Sequence, residues 1–288
     1  MSVIGAIYTA TARYGVLHGL TPWDIAAVRF SVSALALLPA LVPAGLLFSL
    51  RSAGGLGWPR ALILTACAGP LFSLLLFAGL QFAPLAHGGV VTPATIAMVG
   101  FLFAMLLFGE RPDRRRWAGL AFVVTGIGTL GWEGLVHEAG PNLLLGDLMF
   151  ISAGIAWAGF GVLLRQWRAD PIRTSAMVAL ISALTYLPFY FALADSSAWA
   201  AQGAGHIALQ VFIQGILAGA LNLYLFTKTV ELLGPAPAAL FGAMVPACSV
   251  LTAIPVLGEW PTALQWTGLL VITVGLLLSF VRTSRLRR

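Results

Sequence analysis

Apolar runs alternate with short Gly, Pro and charged breaks along the whole chain. The runs fall near residues 3–20, 24–48, 58–82, 87–108, 115–132, 146–165, 172–194, 206–230, 235–257 and 262–281. A bilayer-crossing helix needs about 20 apolar residues, so the pattern predicts ten transmembrane helices. Leu20-Thr21-Pro22, Gly109-Glu110-Arg111-Pro112, Ala169-Asp170-Pro171 and Gly258-Glu259-Trp260-Pro261 are among the breaks that separate them. Ala10-Thr11-Ala12 has the small-x-small form of a signal cleavage site, but no Lys or Arg precedes it and its apolar core is very short. The first run is therefore read as a retained helix.

Composition excludes the soluble classes. Of 288 residues, 59% are hydrophobic and 9% charged, where soluble domains carry about 25% charge. Mean hydropathy is +0.94. Ten spans would use roughly 200 residues, leaving no room for a sizeable soluble domain. The expected fold class is an all-α integral membrane protein. A net charge of +6 would suggest nucleic acid for a soluble protein, but here the arginines cluster between apolar runs. The expected partners are the lipid bilayer and a small molecule, with no nucleic acid. Cys67 and Cys248 lie inside apolar runs without metal spacing and read as buried free thiols.

Arginine placement orients the chain. With the N-terminus in the cytoplasm, the even-numbered loops carry Arg51 and Arg60, then Arg111, Arg114, Arg115 and Arg116, then Arg165, Arg168 and Arg173. Lys228 and the tail arginines 282, 285, 287 and 288 join them, so every basic residue except Arg13 and Arg29 falls on one side. Asp24, Glu133, Glu138, Asp147, Asp195 and Glu259 fall on the other. This asymmetry predicts a multi-pass protein with both termini cytoplasmic.

The chain also matches itself at an offset of 149 residues. Pro22 meets Pro171, Pro39 meets Pro188, and Phe77 meets Phe226. Gly109-Glu110-x-Pro112 with Trp117-x-Gly119-Leu120 meets Gly258-Glu259-x-Pro261 with Trp266-x-Gly268-Leu269, and Gly126 and Gly275 follow in register. Each half then holds five helices, an odd number, so the halves enter the membrane with opposite polarity. The expected division is 1–137 and 138–288, two inverted repeats forming one structural unit. Secondary transporters use such repeats, with substrate near the midplane where the halves meet.

A Gly-Glu-x-Pro closing the fourth helix of each half, followed by Trp-x-Gly opening the fifth, resembles the EamA-type branch of the drug/metabolite transporter superfamily. The resemblance covers nearly the whole chain. It implies a ten-helix exporter of small metabolites in the bacterial inner membrane, working without ATP hydrolysis, and the general similarity is greatest to amino-acid exporters, including aromatic ones. Glu110 and Glu259, at helix ends on opposite sides, read as capping or Arg-pairing groups rather than chemical ones.

Polar and aromatic groups inside spans are the candidates for a substrate path: Tyr8, Arg13, His87, Thr92, Thr95, Trp157, Asn222 and Tyr224. Intramembrane ionisable groups are costly and mark function by default. Arg13 is balanced between ligand binding and snorkelling, whereas Arg29, nearer the outer surface, reads as snorkelling. Tyr8 and Trp157 are repeat equivalents, several residues inside their spans, unlike the belt residues Trp58, Trp132, Trp199, Trp260 and Trp266. Pro93 and Pro246 lie about one turn apart in the repeat frame and would free carbonyls in helices 4 and 9. A cavity lined by helices 1, 3, 4, 6, 8 and 9 is expected.

The function these readings favour is amino-acid export by alternating access, with broad specificity. Alternatives are export of lipophilic cations or of nucleotide-sugar-like metabolites, and a membrane scaffold without transport. Helix 1 carries Arg13 and no acid, which favours carboxylate-bearing substrates over cations. No HExxH, GxSxG or P-loop occurs, so neither an enzyme nor a cofactor is expected. Asp and Glu fall near helix ends, which predicts facilitated diffusion or exchange, with His87 and His18 as the groups able to titrate. Small-xxx-small stripes such as Gly15-Gly19, Gly154-Ala158 and Gly215-Gly219 serve packing within a monomer, or a homodimer face.

Overall fold

The computed structural model describes residues 1–43, 50–109, 113–136, 142–193, 199, 201–234, 245–258 and 260–280. Within them the chain is helical in ten segments. We name these α1 (Ser2–Leu17), α2 (Pro22–Leu37), α3 (Trp58–Ala68 and Pro70–Phe82), α4 (Leu85–Phe108), α5 (Arg114–Val136), α6 (Asn142–Trp167), α7 (Pro171–Leu193), α8 (Ala204–Leu233), α9 (Val245–Leu257) and α10 (Ala263–Phe280). Six are long and apolar enough to cross a membrane: α2 with its extension to Leu41, α3, α4, α6, α7 and α8. The sequence divide at 137/138, Glu110 and Glu259 of the repeated motif, and the arginine tail lie outside the described residues.

Local chemistry sets several ends. Thr21 and Asp24 form a reciprocal capping box at the start of α2, with Pro22 at its first position. At its other end α2 tightens into a 3-10 turn over Leu38–Leu41 rather than continuing to 48, because Pro39 cannot supply a helical N–H. α6 starts at Asn142 and not near 146, which carries Asp147 into the second helical turn.

Packing follows the repeat. α1 lies on α9 as α6 lies on α4, and α2 lies on α8 as α7 lies on α3. The pairs α2–α7 and α5–α10 each join a helix to its own equivalent. That is the arrangement two inverted halves produce around one pseudo-axis. At α5–α10, the motif glycines let backbones touch. A Cβ on Gly275 would fall 2.6 Å from the Gly119 carbonyl oxygen, and one on Gly126 would fall 3.0 Å from that of Gly268.

The α2–α7 seam differs at its two ends. At the end opposite the arginines, Tyr190 donates to Asp24 Oδ1 at 2.6 Å, Tyr186 donates to the Trp23 carbonyl at 3.0 Å, and Trp199 Nε1 donates to the Tyr190 hydroxyl at 3.1 Å. At the arginine-rich end, Leu37 and Leu41 pack with Ala176 and Met177 in a separate aliphatic cluster. Arg60 lies over Trp167 and Arg165 over Phe108 at that end, each as a cation–π pair.

Candidate functional site

A cavity opens between the halves, lined from α1, α3, α4, α6, α8 and α9. Its walls are aromatic: Phe72, Trp157 and Phe226, with Trp157 in ring contact with both neighbours at 4.5 and 5.0 Å. Polar tips come from Tyr8, Thr9, Thr92 and Asn222. Gly88 and Gly89 bring the backbone of α4 to the wall, and Pro93 leaves the Gly89 carbonyl without a helical donor. A Cβ on Gly89 would collide with Ser249 of α9 at 2.3 Å, so glycine there sets the α4–α9 approach. The Oδ1 of Asn222 is buried and has no hydrogen-bond partner. Met1 and Ser2 also line the cavity, so it extends to the N-terminal end of α1.

The sequence candidates divide between this cavity and other places. Tyr8, Thr92, Trp157, Asn222 and Pro93 line it together. Thr95 is turned away, donating to the Val91 carbonyl at 2.8 Å and packing against Gly154. Tyr224 is half-buried off the cavity, and Pro246 is buried beside the lining residue Val245. Arg13 donates to the Leu80 carbonyl and lines a second hollow with Trp260 and Gln265.

His87 belongs to a different buried cluster. Its Nδ1 lies 2.8 Å from Asp147 Oδ1, and its Nε2 is 3.4 Å from the Gln265 amide nitrogen. Both partners of the pair are buried, and Asp147 Oδ2 accepts no hydrogen bond. Asp147 lies near the start of α6, as the sequence leads one to expect, but it is buried there against His87, because the helix begins at Asn142 and carries it into the second turn.

Arg29 likewise departs from expectation. Instead of snorkelling it is 3% exposed, with its guanidinium carbon 5.3 Å from the centre of the Tyr8 ring and Nη1 unpartnered. From α8, Gln214 donates to the Tyr8 carbonyl at 2.8 Å and Gln210 to that of Thr11 at 3.0 Å. Hydropathy could not show these, since one polar residue per turn is averaged away in an apolar window.

Two equivalent helices are irregular at the same place. α3 breaks at Gly69-Pro70, and position 218, which is Gly69 shifted by 149, lies in a π-helical stretch over Val211–Asn222. π-helical turns concentrate at functional sites, and paired irregular helices mark transporter binding sites. A Cβ on Gly69 would fall 2.3 Å from Ser182 Oγ, and one on Gly219 would fall 2.7 Å from Ser33 Cβ. Ser33 and Ser182 are themselves repeat equivalents. Pro93 frees the Gly89 carbonyl without interrupting α4, while Pro246 is the second described residue of α9 and the segment before Val245 lies outside the described residues.

Comparison with known proteins agrees with this architecture. The sequence model of the EamA-like transporter family matches residues 1–132 and 144–281. Two relatives from Bacillus subtilis (strain 168) are described as uncharacterized transporters. YetK is 22% identical over 218 residues, covering 75% of this chain and 66% of its own length. YwfM is 25% identical over 228 residues, covering 76% and 72%. A solved crystal structure superposes with a TM-score of 0.67 at 18% identity, over 97% of this chain and 94% of that one, which shows a shared fold.

Proposed function

The chain belongs to the EamA-like transporter family, and on that premise we propose that this membrane transporter exports amino acids, aromatic ones included, by alternating access. The observation that carries the reading is the aromatic-walled cavity with an unpartnered Asn222 acceptor. Phe72, Trp157 and Phe226 offer apolar surface to a side chain, while Asn222, Thr92 and the freed Gly89 carbonyl offer hydrogen bonds to an amino group. Walls of this kind separate substrates by only about 1–3 kcal/mol per methylene, so specificity is broad.

With both termini in the cytoplasm of a bacterial inner membrane, as the arginine distribution favours, the end of the cavity beside Met1 lies on the inner side, the side from which an export substrate loads. A lipophilic cation is the competing cargo, but the described lining contains no Asp or Glu to receive it. The test is flux in proteoliposomes. Trp157→Ala and Asn222→Ala should each cut phenylalanine flux at least about tenfold, the loss of one or more wall contacts or hydrogen bonds, with normal membrane insertion. Wild-type flux from both well-inserted variants would refute the assignment.

A further inference from the structure

We propose that Arg29 is the anchor for a substrate carboxylate, so that the cargo of this cavity is a carboxylate-bearing molecule. The inference rests on the transporter reading above and adds the charge that selects the cargo.

Arg29 lies midway along α2, 3% exposed, with no acidic partner among the described residues. A guanidinium in such a place is heavily penalised unless an anion or a set of acceptors compensates it. The acids that could do so are committed elsewhere. Asp147 holds His87, and Asp24 accepts from Tyr190 and from its own capping box. What Arg29 does have is the face of Tyr8 at 5.3 Å, a cation–π contact that satisfies none of its N–H donors. Nη1 is left without a partner.

Tyr8 is the link to the cavity, because the residue that carries Arg29 on its ring also forms part of the wall. A rotation of one phenol ring would exchange the π face for an anion within reach of the guanidinium fork, whose geometry matches a carboxylate. Asn222 Oδ1, unpartnered on the same cavity, suits the ammonium of a zwitterion. Arg13, the other intramembrane arginine, is engaged by the Leu80 carbonyl and lines the separate hollow, so it does not serve this cavity.

Calorimetric titration of the purified full chain in detergent tests this with 3-phenylpropionate, its amide 3-phenylpropionamide, and L-phenylalanine. Wild type should bind the carboxylate about tenfold or more tightly than the amide, the usual scale for a buried charge-assisted pair. Arg29→Gln should bring the acid and amide affinities together, and Arg29→Lys should keep part of the difference. A wild type that binds acid and amide alike overturns the proposal, as does an Arg29→Gln protein that still prefers the acid. If 3-phenylpropionate shows the Arg29-dependent preference while L-phenylalanine does not bind, the anchor stands and the amino-acid reading fails.

Discussion

Replacing Gly275 by alanine would drive a methyl group into the backbone of α5. The added Cβ would lie 2.6 Å from the Gly119 carbonyl oxygen, 2.8 Å from Phe122 Cβ and 2.8 Å from the Val123 nitrogen. Two of these are main-chain atoms and cannot rotate away, so the helices must separate. Overpacking of this kind costs about 1–3 kcal/mol, which is a fall of roughly 2–10 °C in melting temperature for a protein of this size class. Gly128, two residues after the packed Gly126 on the same helix, meets nothing within 4 Å. Gly128→Ala should be neutral or slightly stabilising, since alanine is the better helix former by about 1 kcal/mol. Thermal unfolding in detergent, followed by tryptophan fluorescence, compares Gly275→Ala, Gly126→Ala and Gly128→Ala directly. Equal melting temperatures in all three would refute the idea that the repeated glycines exist for the α5–α10 contact.

Asp147→Ala should lower stability by about 1–3 kcal/mol by stranding the buried His87 ring, and the double variant with His87→Leu should recover part of the loss; strictly additive losses would show that the pair is uncoupled. Reporter tags on both termini should read cytoplasm and a tag within 133–145 should read outside, and a cytoplasmic signal from that segment would contradict the inverted halves.

Depth along the membrane axis was legible in the sequence, and position around the bundle was not. Apolar run lengths located the helices, and the shared offset identified which are equivalent, so the six helices around the cavity could be anticipated. Tyr8 and Trp157 were found because their pairing under the offset is independent of hydropathy. For Arg29, depth near an outer helix end predicts snorkelling, whereas its azimuth turns it inward onto Tyr8. The place of Asp147 near the start of α6 is legible in the sequence, but its burial against His87 is not, because run length says nothing of which neighbour covers a helix end. The α3 break had a visible signal, Gly69-Pro70 in mid-run, but the π stretch of α8 has no comparable marker beyond Gly215 and Gly219, and only the packing against Val32 and Ser33 explains why those two must be small.

The α2–α7 seam is held by different forces at its two ends, and this gives it a mechanical asymmetry. One end is joined by the hydrogen bonds of Tyr186, Tyr190 and Trp199, the other by Leu37, Leu41, Ala176 and Met177. Within a bilayer, apolar side chains gain nothing by leaving lipid for one another, so the aliphatic end is held by close packing, which has no fixed direction. Hydrogen bonds demand a particular distance and angle. The hydrogen-bonded end therefore resists shear while the arginine-rich end tolerates it, and volume-conserving exchanges among those four aliphatic side chains should be accepted where loss of a tyrosine hydroxyl is not.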